Sequence, residues 1–253
     1  KRSIMPHCDN HAFAFYKDHV FVGNDGGIYD YSISKDEWYS LNNSSLQTIL
    51  ANSISIHPQQ PWIQVMGLQD NNLGVNTLNP QNANTFGKDL KWYAYYPLCN
   101  IFSAVAGDVG KLYFNSDGKF LYSGAAAFSG KAYAENNQFI ERSGDLGKHW
   151  DCVGPKDAVN KKAFLDWYPP IAIHPTDPDK LAVGLDRVYE STVLGSDWGN
   201  GAISPILGPN KQSSAIMYAS DDKIWVSYFD DLWVQKDRNK LNPTDPSLWE
   251  NIK

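Results

Sequence analysis

One segment of the chain occurs twice. Ile54-Ser-Ile-His57-Pro58-Gln-Gln-Pro61 returns as Ile171-Ala-Ile-His174-Pro175-Thr-Asp-Pro178, and the same shift carries Gly67-Leu68 onto Gly184-Leu185. The shift is 117 residues both from His57 to His174 and from Gly67 to Gly184. A shift held without gaps points to duplication of a smaller unit, which restricts the chain to architectures built from repeats. Tryptophans that follow turns and open short apolar runs size that unit. Trp38, Trp92, Trp150, Trp198 and Trp249 are separated by 54, 58, 48 and 51 residues. A period near fifty residues suits the blade of a propeller, a small antiparallel sheet that cannot bury both faces alone and stacks on its neighbours.

Within each period the pattern is that of strands, with β-branched and aromatic residues bounded by Gly, Asn and Asp. The first period reads HAFAF, HVFVG, the turn NDGG, IYDYS and EWYSL. In the third, KLYFNS is read as the innermost strand, KFLYSGAAA as the second and QFIERS as the third; the fourth ends in a weak strand after Trp198. With 19 Gly and 14 Pro, long helices are not expected. The expectation is an all-β propeller of about five four-stranded blades near 7–42, 52–98, 110–154, 170–207 and 213–253. It is either a closed five-bladed ring or the terminal part of a larger one.

Charge and composition exclude other classes. The net charge of -6 gives no positive field for a phosphate backbone, so nucleic acid is not an expected partner. No apolar run approaches the ~20 residues of a membrane-spanning helix. The start, KRSIMPHCDN, lacks the apolar core of a signal peptide, as expected of a mature or truncated form. Cys8, Cys99 and Cys152 are too scattered for a CxxC-type zinc site; one disulfide with a spare thiol is open.

Residues 143–150 read SGDLGKHW. A Ser/Asp/His triad compressed into eight residues could hardly arrange nucleophile, base and orienter. Ser and Asp oxygens can instead hold the amides of a tight turn, with Gly taking a positive φ and Trp sealing the blade. The spacing S-x-D-x-G-x-x-W resembles the Asp-box of the BNR repeat, matched by Ser143, Asp145, Gly147 and Trp150. Ser191, Gly195 and Trp198 repeat it with Val193 in place of the aspartate, and SISKDEW ending at Trp38 resembles a decayed copy. Further segments, His7-x-Asp9-x-His11, Asn24-Asp25-Gly26-Gly27-Ile28-Tyr29, Ile56-His57-Pro58 and Gly67-Leu68-Gln69-Asp70, resemble Asp-box propellers that include sortilin-type (Vps10) receptor domains and family 74 glycoside hydrolases. The resemblance implies the fold, and places the box at the turn between third and fourth strands, away from the usual ligand face. It does not choose an activity, since such folds host hydrolases, receptors and assembly factors.

Candidate site residues gather at the opposite turn. Asp25, Asp70, Asp186 and Asp230 or Asp231 fall between second and third strands, with Asp9 and His11 opening the first blade. The expected ligand face is therefore Asp9, His11, Asn24, Asp25, Gln69, Asp70 and Asp186, able to meet a cation, a basic peptide or sugar hydroxyls. Turn preference for Asp, Asn and Gly explains the same residues without function. Asp25-Gly26-Gly27-Ile28-Tyr29 also resembles the D-x-G-G-x-Y segment that bears a catalytic aspartate in family 74 hydrolases, one residue short. Asp25 with Asp70 or Asp186 would then be the acid and base. His7, Cys8, Asp9 and His11 are metal-type residues, but strand alternation sends neighbours to opposite faces, so no metal or other cofactor is expected. His57 and His174 are read as strand-end caps. Trp167-Tyr168-Pro169-Pro170 and Trp92-Tyr93 are read as interblade packing or sugar platforms, and Asn43-Ser44-Ser45 fits a glycosylation sequon.

The function expected is a noncatalytic, extracellular or envelope-facing recognition module for protein or glycan. Longer loops at 79–90, 125–138 and 155–170 would set its specificity. The rivals are a glycoside hydrolase and a structural subunit whose ring is completed by upstream blades or other chains.

Overall fold

The computed structural model describes residues 6, 9–42, 51–68, 73–77, 93–95, 109–125, 139–160, 168–238 and 242–252. Among these residues nineteen strands form five antiparallel sheets, each built from consecutive strands. The first contains β1 (Asn10–Tyr16), β2 (His19–Asn24), β3 (Gly27–Ser32) and β4 (Glu37–Ser40), and the second β5 (Ala51–Ile56), β6 (Gln64–Leu68), β7 (Leu73–Asn76) and β8 (Tyr93–Tyr95). The third contains β9 (Val109–Phe114), β10 (Leu121–Ala125), β11 (Ile140–Ser143) and β12 (Asp151–Cys152), in the order read from the sequence.

The fourth sheet has three strands, β13 (Ile171–Ile173), β14 (Leu181–Gly184) and β15 (Val188–Ser191). Its expected fourth strand is reduced to one bridge, Tyr189 to Ala202. Gly199 and Gly201 precede Ala202 at φ of 55° and 99°, outside the extended region that a strand requires. The fifth sheet is β16 (Ala215–Tyr218), β17 (Ile224–Tyr228), β18 (Asp231–Gln235) and β19 (Trp249–Asn251). Within the expected 155–170 loop lies one short helix, α1 (Lys156–Asn160).

Side-chain alternation glues these blades together. On β14, Leu181 and Val183 join a buried cluster with Tyr122, Ile140 and Val153 of the third blade, whereas Ala182 joins Tyr218, Val226 and Tyr228 of the fifth. A third cluster unites Val65, Leu73 and Val75 with Leu112, Phe114 and Trp150, so the second and third blades are joined in the same way. Each fully buried Leu or Val contributes roughly 1.5–3 kcal/mol, which makes these interfaces the core of the molecule. The first strands of successive blades also pack together, β5 on β9, β9 on β13 and β13 on β16.

The repeated glycines serve that approach. A Cβ on Gly67 would lie 2.3 Å from the Gly110 carbonyl oxygen, and one on Gly184 would lie 2.0 Å from Ser213 Oγ. Duplication has thus preserved a point of close approach to the next blade, to its backbone at Gly67 and to its side chains at Gly184.

The first blade differs. All seven residues of β1 are exposed, including Phe15 at 76%, and the three clusters contain none of its described residues. On β5, Ser53 and Ser55 turn toward the third blade and bond its backbone, so Ile54 and Ile56 lie on the other face, exposed.

Cys152 is disulfide-bonded. The two other cysteines, Cys8 and Cys99, lie outside the described residues.

Candidate functional site

Antiparallel order sends the second-to-third turns and the starts of the first strands to one end of each blade, and the other two turns to the opposite end. At the former end Asp25 and Gly26 form the two-residue turn between β2 and β3. The Gly26 amide donates to Asn24 Oδ1 at 3.0 Å. Asn42 closes the turn by donating to the Gly26 carbonyl at 2.7 Å and accepting from the Ile28 amide at 3.0 Å. Gly27 has φ of 114°, and a Cβ there would meet Asn42 Oδ1 at 1.9 Å, so NDGG is an Asn-clamped hairpin.

The hairpin holds Asp25 against β1. His11 Nε2 lies 2.6 Å from Asp25 Oδ1, and Asn24 Nδ2 donates to Asn10 Oδ1 at 3.2 Å. Asp9, at φ of 55°, turns the chain into β1. Four of the expected residues, Asp9, His11, Asn24 and Asp25, therefore share one corner, and the His11–Asp25 pair is open to solvent. Gln69 and Asp70 lie outside the described residues.

Asp186 sits at the corresponding turn of the fourth blade, 5% exposed. Arg187 Nε and the guanidinium's second nitrogen donate to its two oxygens at 2.8 and 2.9 Å. The same hydrogen bond, outweighing burial, raises the Arg187 pKa above its ordinary value. The Asp186 carbonyl accepts from the Leu207 and Gly208 amides, which ties the turn to the link into the fifth blade. This acid is part of a closed pair, unlike the open carboxylate expected from turn position alone. In the fifth blade Asp230 is exposed at the turn, while Asp231 Oδ1 accepts from Asn251 Nδ2 at 2.9 Å.

At the opposite end, Ser143 Oγ accepts from the Gly147 amide at 2.8 Å and donates to Asp145 Oδ1 at 2.9 Å. Asp145 takes the His149 amide and ring, at 2.9 and 2.5 Å. The order is Ser, Asp, His, with the carboxylate in the middle, whereas nucleophilic catalysis requires the imidazole beside the hydroxyl. Burial pulls the Asp145 pKa up, but the His149 and Ser143 hydrogen bonds outweigh it and hold it below the ordinary value of 3.8. Leu146 and Gly147 take positive φ, and a Cβ on Gly147 would lie 2.2 Å from Leu73 of the preceding blade. Trp150 Nε1 donates to the Gly147 carbonyl at 2.9 Å.

The second copy keeps this geometry without its aspartate. Ser191 Oγ accepts from the Gly195 amide at 2.9 Å and donates to the Asp197 carbonyl at 2.6 Å. Trp198 Nε1 reaches back to the Val153 carbonyl at 2.7 Å, a direct bond between blades. In the first blade Asp18, from the first turn, bonds Ser32 and the Ser34 amide instead.

The repeated histidines also lie at this end. His57 Nδ1 accepts from the Gln59 and Gln60 amides at 3.2 and 3.1 Å, and His174 Nδ1 from Thr176 and Asp177 at 3.3 and 2.9 Å. Sequence reasoning missed what lies beyond the second ring. His174 Nε2 meets Asp222 at 2.5 Å, Asp222 is flanked by Lys180 and Arg238, and Arg238 pairs with Glu190, which accepts from the Tyr218 hydroxyl. Burial raises the Asp222 pKa, but Arg238, His174 and Lys180 more than reverse that and hold it below 3.8.

Tyr168 and Pro169 pack at blade contacts, where a Cβ on Gly110 would meet the Tyr168 ring at 2.3 Å. Trp92 and Trp167 lie outside the described residues, as do His7 and Cys8. Among the described residues no group of three or more His, Cys, Asp or Glu is placed to hold a metal.

No protein family and no curated protein matches the chain by sequence. Solved structures match it by shape. The chain is similar to a GH74 enzyme from Niastella koreensis, with 14% identity and a TM-score of 0.54 over 88% of this chain and 35% of that one. It is also similar to an ancestral GH74 enzyme, with 13% identity and a TM-score of 0.53 over 96% of this chain and 32% of that one. The chain thus spans about a third of the length of these structures. At such identity the likeness speaks for the fold alone, and that fold is a β-propeller of the kind found in GH74 enzymes.

Proposed function

We propose that the chain is a noncatalytic recognition module that binds a protein or glycan at the end carrying Asp9, His11, Asn24 and Asp25, with Gln69 and Asp70 as further members. The observation that carries this reading is the engagement of Asp25 and Asp186, the two described candidates for acid and base. Asp186 is closed on Arg187, and Asp25 is hydrogen-bonded to His11. An inverting glycosidase needs two carboxylates ~6.5–9.5 Å apart on either side of the substrate bond. Acids held by neighbouring side chains suit a different task, the rigid display of hydrogen-bonding groups, with the clamped NDGG hairpin as scaffold. Asp186 acts there through the turn it holds.

On this reading Ser143, Asp145, Gly147 and Trp150, with Ser191, Gly195 and Trp198, form Asp-box turns of purely structural role. An extracellular or envelope location accords with the disulfide at Cys152, since such bonds persist in oxidising compartments. The glycoside hydrolase reading, with Asp25 as acid or base, is favoured by the exposed His11–Asp25 pair and the fold likeness. The assembly-subunit reading is favoured by the exposed Phe13 and Phe15 of β1.

The test is hydrolysis of β-glucans, xyloglucan and sialosides, run beside glycan-array binding and partner pull-down, for the chain and its Asp25→Ala variant. The expected result is saturable binding without turnover, weakened in the variant. Turnover that disappears with Asp25 would overturn the proposal in favour of the hydrolase.

A further inference from the structure

β1 is the edge strand of the first sheet, and among the described residues only β2 pairs with it. The register is irregular between Asn10 and Ala12 and regular from Ala12 to Tyr16. Tyr16 faces His19 across the turn Lys17-Asp18, and Asn24 faces Gly27 across Asp25-Gly26. Closing pairs of such short hairpins exchange their backbone hydrogen bonds, and along a strand the backbone groups of successive residues point to alternate sides. Tyr16, Ala14 and Ala12 therefore bond to β2, through His19, Phe21 and Gly23. The N–H and C=O groups of Phe13 and Phe15 point the other way, to the edge, where no described strand meets them.

Native sheets blunt an open edge with charged side chains, with proline or with a covering element. The sequence of β1, NHAFAFY, contains no Lys, Asp, Glu or Pro, and all seven of its residues are exposed. The innermost strands of the other blades shield one another, because β5, β9, β13 and β16 pack side by side. The edge is also its own complement. Two copies of β1 laid antiparallel about Ala14 set Phe13 of one opposite Phe15 of the other, and Phe15 opposite Phe13. These are the residues whose backbone groups are free, so both pairs can exchange their hydrogen bonds. The alanines meet on the two-fold axis, where the closer spacing of a non-hydrogen-bonded pair suits a small side chain. Opposed residues share a face, so the phenyl rings pair across the junction.

We propose that β1 pairs antiparallel with β1 of a second copy of this chain, about Ala14, and joins the two first blades into one continuous sheet. The ladder that holds β1 to β2 continues across the edge, and its two-fold symmetry closes the assembly as a dimer. The pairing itself is independent of what Asp25 does. If Asp25 is part of a recognition site, as proposed above, the dimer carries two such sites. His11 stands three residues from the axis, which puts the two His11–Asp25 corners roughly 20 Å apart along the strands, within reach of one multivalent ligand.

The experiment is sedimentation velocity of the whole chain over a concentration series, with amide hydrogen exchange on the same samples. A reversible dimer is expected. As it forms, exchange of the Phe13 and Phe15 amides should slow, whereas the Ala12, Ala14 and Tyr16 amides, already bonded to β2, should change little. Phe15→Lys should weaken the dimer about ten-fold or more by placing a charge in the junction. Phe15→Pro removes only an outward N–H from the ladder and should weaken it likewise. An unaltered Ala14 amide in each variant shows that β1 still pairs with β2. A chain that stays monomeric at every concentration overturns the proposal and leaves the edge to a strand of another protein. A dimer that both variants leave unchanged also overturns it, as does growth beyond two copies. Ligand binding is scored separately: a dimer that binds nothing sinks the recognition reading alone, and binding by a strict monomer sinks the dimer alone.

Discussion

Replacing Ser143 by alanine separates a turn from a catalytic residue. The hydroxyl accepts the Gly147 amide at 2.8 Å in a buried setting and the Asp145 amide at 3.3 Å, and it donates to Asp145 Oδ1. Alanine keeps the packing of Cβ but leaves the Gly147 N–H unpaired, which costs about 1–3 kcal/mol. The longer, partly exposed bond to the Asp145 amide adds little. For a domain of this size each kcal/mol moves the midpoint about 2–4 °C, so the thermal midpoint should fall by roughly 2–12 °C. Ser191→Ala should fall by a similar amount, since Ser191 holds the Gly195 and Val193 amides in the same way. Asp145→Ala should cost less, and His149→Ala least, because that ring is 89% exposed and its pair with Asp145 is a surface one. Circular dichroism melts of the four variants, with ligand binding measured on the folded fraction, give the ranking. If Ser143→Ala melts with the parent while its activity disappears, the structural account of SGDLGKHW is refuted.

Gly67→Ala should destabilise more than Gly184→Ala, by about 1–3 kcal/mol in urea denaturation, because the first meets a backbone carbonyl and the second a rotatable hydroxyl. Trp198→Phe should cost about 1–2 kcal/mol by leaving the Val153 carbonyl without its donor, and a melt unchanged from the parent would mean the interblade bond is dispensable. Asp145 and Asp222 have depressed pKa values, so their stabilisation is complete above the ordinary value of 3.8 and is lost as pH falls through the lower folded values. The Asp145→Asn, Asp222→Asn double variant should accordingly show a shallower acid loss of stability, and equal slopes would contradict the assignment. Alkylation of the unreduced, denatured chain should add one adduct, with three appearing after reduction, since one disulfide leaves one thiol among three cysteines.

Much of the fold was legible because a blade is local. Its strands are consecutive, their alternation is visible, and the turns announce themselves by Asn, Asp and Gly. The missing fourth strand of the fourth blade was less so: only Gly199 and Gly201, placed where a strand should run, signalled it. The candidate site was legible at the level of position and not of state. Asp25 and Asp186 both occupy second-to-third turns, but one faces His11 across a hairpin, and the other is closed by the residue that follows it. Arg187 was there to be read, but an adjacent pair in a strand ordinarily diverges, and only the wider turn lets the guanidinium fold back.

Duplication explains why the two ends of this molecule carry different kinds of information. Ser143 and Ser191, and His57 and His174, each repeat the same contact with their own turn, and Gly67 and Gly184 both lie in close approach to the next blade. Asp25 and Asp186 occupy matching turns yet have partners of different kinds, as loops do when the scaffold no longer constrains them. Gly118 breaks that division. It lies among repeated contacts, keeps the backbone conformation of Asp222, and lacks only the carboxylate that would complete the copy. The space of that side chain is taken by the imidazole itself, since a Cβ on Gly118 would lie 2.2 Å from the His57 ring.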